Sequence, residues 1–232
     1  MEGLLLAWFQ EKGRDLPWRH TRDPYAILVS EVMLQQTQVE RVVPRYARFM
    51  KRWPSVESLA AAGAGEVIVE WQGLGYNRRA LNLHRAACAV AAQGWPDDLT
   101  ELPGVGRYTA AAIANFAFGR DVLPVDTNVR RVLERTGAEF DASCAQALFD
   151  LGAGVCLARI PRCGECPLAD ACPSRGRRYE PLRRQSRFEG SFRQRRANAL
   201  RAIVAGEQPD DAEAIASLAR DGLLTADGTL PR

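Results

Sequence analysis

The chain has 232 residues, 47% of them hydrophobic and 25% charged. That balance supports a sizeable core and excludes a disordered or fibrous chain. The apolar runs are too short and interrupted to span a bilayer, and the opening MEGLLLAWFQEKGRD lacks the basic start of a signal peptide. The net charge of +3 is unevenly spread: residues 1–174 hold 19 basic and 20 acidic side chains. Residues 175–201 hold ten arginines against Glu180 and Glu189, and residues 202–232 hold two arginines against six acids. The stretch SRGRRYEPLRRQSRFEGSFRQRR reads either as an arm lying on phosphates or as a solvated linker.

In chain order, LLLAWFQEK opens with a helical pattern. Asp23-Pro24 then supplies an N-cap followed by proline at the first helical position. YAILVSEVMLQQTQVERVVPRYARFMKRW continues as helix, with Pro44 expected to mark a break or a fresh start. SVESLAAAGAGEVIVEW reads as a short helix opened at Ser55 and then another. GLGY interrupts the pattern and NRRALNLHRAACAVAAQ resumes it. DDLTELPGVGRYTAAAIANFAFG is helix, glycine turn, helix, and TNVRRVLERTG is a further helix. RANALRAIVAG and DAEAIASLARDG make two more, and LLTADGTLPR carries an Asp-Gly turn suited to a small hairpin. Strand patterns are nearly absent, so the class is all-α, with a small winged-helix-like module at the end.

Cys156, Cys163, Cys166 and Cys172 fall in the spacing C-x6-C-x2-C-x5-C. Four thiolates within 17 residues can close around one metal centre. Zinc ribbons use two C-x2-C knuckles, whereas one close pair occurs here, so the spacing favours an iron–sulfur cubane over zinc. Disulfides are the reading for a secreted chain. Arg159 and Arg162 sit between the first two cysteines, in a loop that metal ligation would pin at both ends. Cys88 and Cys144 lie outside the spacing, and Cys88 reads as a small buried hydrophobe.

LPGVGRYTA, with Gly104 and Gly106, reads as a helix–hairpin–helix turn whose outward N–H groups suit a DNA phosphate. An ordinary tight turn is the plainer reading of any lone GxG. In QGLGY, Tyr76 either stacks on a base or packs in the core. Asp126 opens a helix and is either a plain N-cap or a carboxylate facing developing positive charge. Glu31, among Val29, Val32, Met33 and Leu34, is either a surface glutamate or a buried general acid.

Together RDLPWR, DPYAILVSEVMLQQTQV, WQGLGYNRRALNLH, LPGVGRYTAAAI, PVDTNVRRV, DLGAGVC and the four-cysteine loop carry a resemblance. The chain resembles the helix–hairpin–helix DNA glycosylases with an iron–sulfur cluster. It is most similar to the A/G-specific adenine glycosylases (MutY-type). The resemblance implies a six-helix barrel domain over residues 20–124 and a cluster domain from residues 1–19 and 125–174. A basic linker at 175–196 and a winged-helix-like module at 197–232 would follow. It implies monofunctional removal of adenine opposite 8-oxoguanine or guanine, from a base flipped out of duplex DNA. Thymine or uracil removal from G mismatches, and a non-catalytic cluster-bearing DNA-binding protein, are the alternatives.

By that resemblance Glu31 protonates the adenine ring and Asp126 stabilises the oxocarbenium-like sugar, with Tyr108 and Asn128 assisting. Tyr108 stands where strand-cleaving relatives carry a lysine. Arg14, Trp18, Leu34 and Asp150 would surround the flipped base. Gln36 and Tyr76 would wedge into the stack, while Gly104, Gly106, Arg159 and Arg162 hold the DNA. Cys156, Cys163, Cys166 and Cys172 would ligate a [4Fe-4S] cluster. The expected partner is mismatched double-stranded DNA, bound by a monomer in the cytoplasm, at the nucleoid. The segment between Asp126 and Cys156 is roughly two dozen residues shorter than the resemblance leads one to expect, and the tail is too short for a Nudix-like domain.

Overall fold

The computed structural model describes residues 1–180 and 187–232. The middle of the expected basic linker, residues 181–186, lies outside the described residues. Among the described residues the regular structure is helical, with no strand, as the patterning predicts. Contacts group the chain into two units, Met1–Pro24 with Arg107–Arg184 and Tyr25–Gly106 with Gln185–Arg232.

The first unit contains α1 (Glu2–Lys12), α7 (Arg107–Phe116), α8 (Thr127–Thr136) and α9 (Ala145–Asp150). α9 runs into a π-helical turn at Leu151–Val155, closed by the Cys156 amide on the Leu151 carbonyl at 2.7 Å. The core joins Leu5 of α1, Val129 and Val132 of α8, Leu148 of α9 and Leu151 of the π-helical turn. Each such side chain, fully buried, contributes about 1.5–3 kcal/mol. Within this unit Tyr108 and Phe116 of α7 both meet Phe149 of α9 edge-on, at 6.1 and 6.0 Å.

The second unit holds α2 (Pro24–Leu34), α3 (Val39–Arg52), α4 (Val56–Ala60), α5 (Ala64–Glu70) and α6 (Arg78–Gln93). Two later helices, α10 (Phe192–Val204) and α11 (Ala212–Arg220), complete it. Phe49 stacks edge-on against Trp53 and Trp71, and the Tyr25 hydroxyl donates to the Trp53 carbonyl at 2.8 Å. Ser55 caps α4 as its side chain predicts, accepting from the Ser58 amide, with the Ser58 hydroxyl accepting in return from the Ser55 amide.

Pro44 does not break its helix. It lies inside α3, where it removes the bond its amide would have given to Glu40. Burial of Val42, Tyr46 and Phe49 along one face carries the helix through. The break falls instead at residues 35–38, where Gln36 takes a left-handed φ of 55°.

α10 and α11 pack together, and Leu200 and Leu218 share one core with Ile68 of α5 and Leu81 of α6. The Asp-Gly turn beyond them forms, closed by the Thr225 amide on the Thr229 carbonyl at 2.8 Å, but no strand pair follows. Leu223 and Leu224 are consecutive and both buried, which is not strand alternation, and Pro231 offers no amide to a ladder. The Pro231 carbonyl accepts instead from the Gly65 amide at the start of α5, at 2.7 Å.

Candidate active site and metal centre

Asp126 caps α8. Its Oδ1 accepts from the amides of Asn128 (2.8 Å) and Val129 (2.6 Å), and its Oδ2 from the Asn128 side-chain amide at 3.1 Å. The cap and the catalytic reading are therefore compatible: three N–H groups fix one half-buried carboxylate. Asn128 is held in turn by Arg131, whose Nη2 donates to Asn128 Oδ1 at 2.9 Å and to the Gly152 carbonyl at 2.8 Å. Arg131 Nε donates to the carbonyl of Cys156 at 2.8 Å. Burial, the largest influence on Arg131, lowers its pKa.

The π turn brings Gly152 against this network. A Cβ there would stand 2.9 Å from Asn128 Cβ and 3.1 Å from its backbone carbon and oxygen. Gly152→Ala is expected to destabilise the protein by about 1–3 kcal/mol. The melting temperature should fall by roughly 2–4 °C for each kcal/mol. An unchanged melting curve would show that α8 gives way at no cost.

Asp150, at the end of α9, is almost wholly buried and faces two arginines. Arg14 reaches it with its backbone amide and Nε, both at 2.8 Å, and Arg19 with Nη1 and Nη2 at 2.9 and 2.7 Å. Burial pushes the Asp150 carboxyl up, but the donors of Arg19 and Arg14 outweigh it and hold the group below its ordinary value. Its stabilisation is therefore present above the unfolded carboxylate pKa of about 4 and is lost as pH falls through the depressed value. Among the predicted base-binding residues, the structure joins Arg14 to Asp150 and adds Arg19, which sequence reasoning missed. Trp18 lies buried between them in sequence, in the 3-10 turn Pro17–Arg19.

Glu31 is 6% exposed, in the middle of α2. Every residue from Tyr25 to Met33 is buried, so the surface-glutamate reading is excluded. Leu34 follows, half-buried, at the end of the same helix. Gln36 is exposed, and Tyr76 is 48% exposed, which excludes core packing for its ring. In the hairpin, Leu102 and Val105 are buried while Gly104 and Gly106 are exposed. Gly104 is required twice over: its φ is +79°, and a Cβ would lie 2.7 Å from Asn82 Cβ. The hairpin leads directly into α7, and Tyr108 stands in the first turn of that helix.

The four cysteines carry no disulfide. All four line one pocket with Val155 and Leu151 at its apolar side. Burial and the neighbouring Cys156, Cys172 and Cys163 push the Cys166 thiol up. Arg135 Nη1 lies 3.4 Å from Cys156 Sγ and the Gly176 amide 3.3 Å from Cys163 Sγ, donors suited to thiolates. Four thiols lining one pocket, with N–H donors beside two of them, are a donor set that could hold a metal centre. Arg135 also donates to the carbonyls of Leu157 and Ala158 and lies over the Tyr179 ring at 3.9 Å. The loop it holds leaves Arg159, Ile160 and Arg162 exposed. Cys88 is half-buried beside the Ala60 carbonyl, and Cys144 is buried.

A family model described as HhH-GPD superfamily base excision DNA repair protein matches residues 29–146. That fixes the class, a helix–hairpin–helix DNA repair protein. The adenine DNA glycosylase of Mycobacterium tuberculosis is 41% identical over 244 positions, covering 88% of this chain and 79% of that protein. The adenine DNA glycosylase of Mycolicibacterium smegmatis is 40% identical over 273 positions, covering 97% of this chain and 93% of its own. The structure of a thermostable thymine-DNA glycosylase superposes with a TM-score of 0.66 at 29% identity, covering 74% of this chain and 93% of that one. The chain belongs to the HhH-GPD superfamily and, within it, to the adenine DNA glycosylases. The first alignment spans 244 positions against 88% of 232 residues, so about 40 positions of it have no residue of this chain opposite them.

Proposed function

We propose that the chain is a DNA N-glycosylase of base excision repair that removes adenine paired with 8-oxoguanine or guanine, by hydrolysis and without strand cleavage. The observation that carries this reading is the placement of Glu31: its carboxyl group is 6% exposed, in a helix whose residues from Tyr25 to Met33 are all buried, so it is no surface charge. Adenine is a poor leaving group until its ring nitrogen is protonated. Glu31 supplies that proton to the flipped base. The glycosidic bond then breaks and leaves positive charge on the sugar. Asp126, oriented by the amides of Asn128 and Val129, faces that charge until water attacks. Arg14, Trp18, Leu34 and Asp150 surround the base, with Asp150 acting through the arginines it orients.

Cys156, Cys163, Cys166 and Cys172 would hold a [4Fe-4S] cluster, which would supply a structural cross-link between the ends of their loop. That loop offers Arg159 and Arg162 to phosphate, while Gly104 and Gly106 offer backbone amides. Gln36 and Tyr76 enter the stack beside the extruded base. Tyr108 and Asn128 assist around the sugar and Asp126. The protein acts as a monomer on mismatched duplex DNA, in the cytoplasm.

A base-release assay over a panel of mismatched duplexes tests the reading. Adenine is expected from A:8-oxoguanine and A:G, with no strand nick before alkali. Thymine released from T:G with adenine untouched would establish the alternative, which the likeness to a thymine-DNA glycosylase makes specific. Binding without release at any pair would establish a non-catalytic binder. Purified protein is expected to be brown, and a colourless protein holding zinc would overturn the cluster assignment.

A further inference from the structure

Two non-glycine residues among those described have left-handed backbone, Gln36 at φ 55° and Tyr76 at φ 47°. Neither is a residue type that tolerates this region well, and such backbone persists only where its surroundings hold it. Both are exposed, and they lie in different turns, one after α2 and one before α6. One side chain joins the two turns. Arg79, in the first turn of α6, is 8% exposed. Its Nη1 donates to the carbonyls of Val32 (2.8 Å), Met33 (3.0 Å) and Gln35. Its Nη2 donates to Thr37 Oγ1 (3.0 Å) and to the carbonyls of Leu74 (3.2 Å) and Gly75 (2.9 Å). Its Nε reaches the Tyr76 carbonyl at 3.4 Å, and the guanidinium lies over the rings of Trp71 and Tyr76.

These partners are carbonyls and a hydroxyl at the end of α2 and around the two turns. Burial lowers the Arg79 pKa to about 10, so the group stays charged at neutral pH despite the cost of its desolvation. A buried charge is a poor way merely to fill a core, since apolar side chains do that better. It is a good way to pin two backbones at fixed points, because one planar fork spans acceptors that a single ammonium does not.

We propose that Arg79 is a positioning residue for base extrusion: its one guanidinium holds both turns in the strained backbone that presents Gln36 and Tyr76 together. The proposal rests on the reading that these two side chains enter the duplex. It assigns Arg79 no contact with DNA.

The test is a mutant cycle read by two measurements. Arg79→Gln is made in the wild type and in a Gln36→Ala/Tyr76→Ala background. Single-turnover adenine release from an A:8-oxoguanine duplex gives the first readout. The second is the fluorescence rise of 2-aminopurine placed at the target position, which reports unstacking alone. In the wild type, Arg79→Gln is expected to slow release by about 10- to 100-fold and to shrink the fluorescence rise. In the double-alanine background the same substitution is expected to change release by less than about 2-fold, because the residues it positions are gone. Equal losses in both backgrounds would overturn the proposal, as would no loss in either. Arg79→Lys keeps the charge but not the span, and it carries the same comparison where the glutamine variant does not fold. A wild type that extrudes 2-aminopurine but releases no adenine would refute the proposed activity while leaving the fluorescence cycle to decide Arg79.

Discussion

Glu31→Gln is expected to slow single-turnover adenine release by about 10²- to 10⁴-fold, the usual worth of a positioned general acid. Binding to the mismatched duplex is expected to stay within a few-fold of wild type, because glutamine keeps the shape of the side chain. Stability supplies the second half of the argument. Glu31 is 6% exposed in a helix whose residues from Tyr25 to Met33 are all buried. Glutamine has nearly the volume and shape of the glutamate it replaces. The melting temperature should therefore stay within a few degrees of wild type while the rate collapses. That pairing separates a proton donor from a residue that only supports the core, whose loss lowers both. Full activity in Glu31→Gln would remove it from the mechanism.

Features written in neighbouring residues were legible in the sequence. Ser55 as a cap, Pro24 as a helix start and the Leu102–Gly106 hairpin all depend on local chemistry, and all form as read. The errors fall where distant residues decide. Pro44 signals a break locally, but the buried face of α3 overrides it. Gln35, Gln36 and Gln38 are good helix formers, yet the chain turns there because Arg79 takes the carbonyls of Met33 and Gln35.

The arginines were the hardest to read. Arg19, Arg79 and Arg131 are of a type that normally sits at the surface, and spacing does not mark which of many arginines is drawn inward. The scarcity of lysine, only Lys12 and Lys51 against 31 basic residues in all, was the available hint. A planar fork that bridges several acceptors is the chemistry these three positions use.

Asp126→Asn is expected to slow release by about 10²- to 10³-fold, on the scale of losing one well-placed electrostatic group. The substitution is informative because asparagine caps helices as well as aspartate does. The side-chain oxygen of the introduced asparagine would still accept from the Asn128 and Val129 amides, so α8 keeps its start. What changes is the sign of the other end. Asp126 Oδ2 accepts from Asn128 Nδ2, and an amide nitrogen in its place would set donor against donor. Asn128 cannot simply turn over, because its Oδ1 already holds Arg131, which is also tied to the carbonyls of Gly152 and Cys156. The chain of bonds is directional, and reversing its first member strains the rest. Melting should fall by only a few degrees, whereas Asp126→Ala, which also loses the cap, should cost a further 0.5–2 kcal/mol, roughly. Comparable rates for the two variants with different melting temperatures would assign the chemistry to the charge and the stability to the cap. An asparagine variant within about 10-fold of wild type would leave Asp126 as a cap alone.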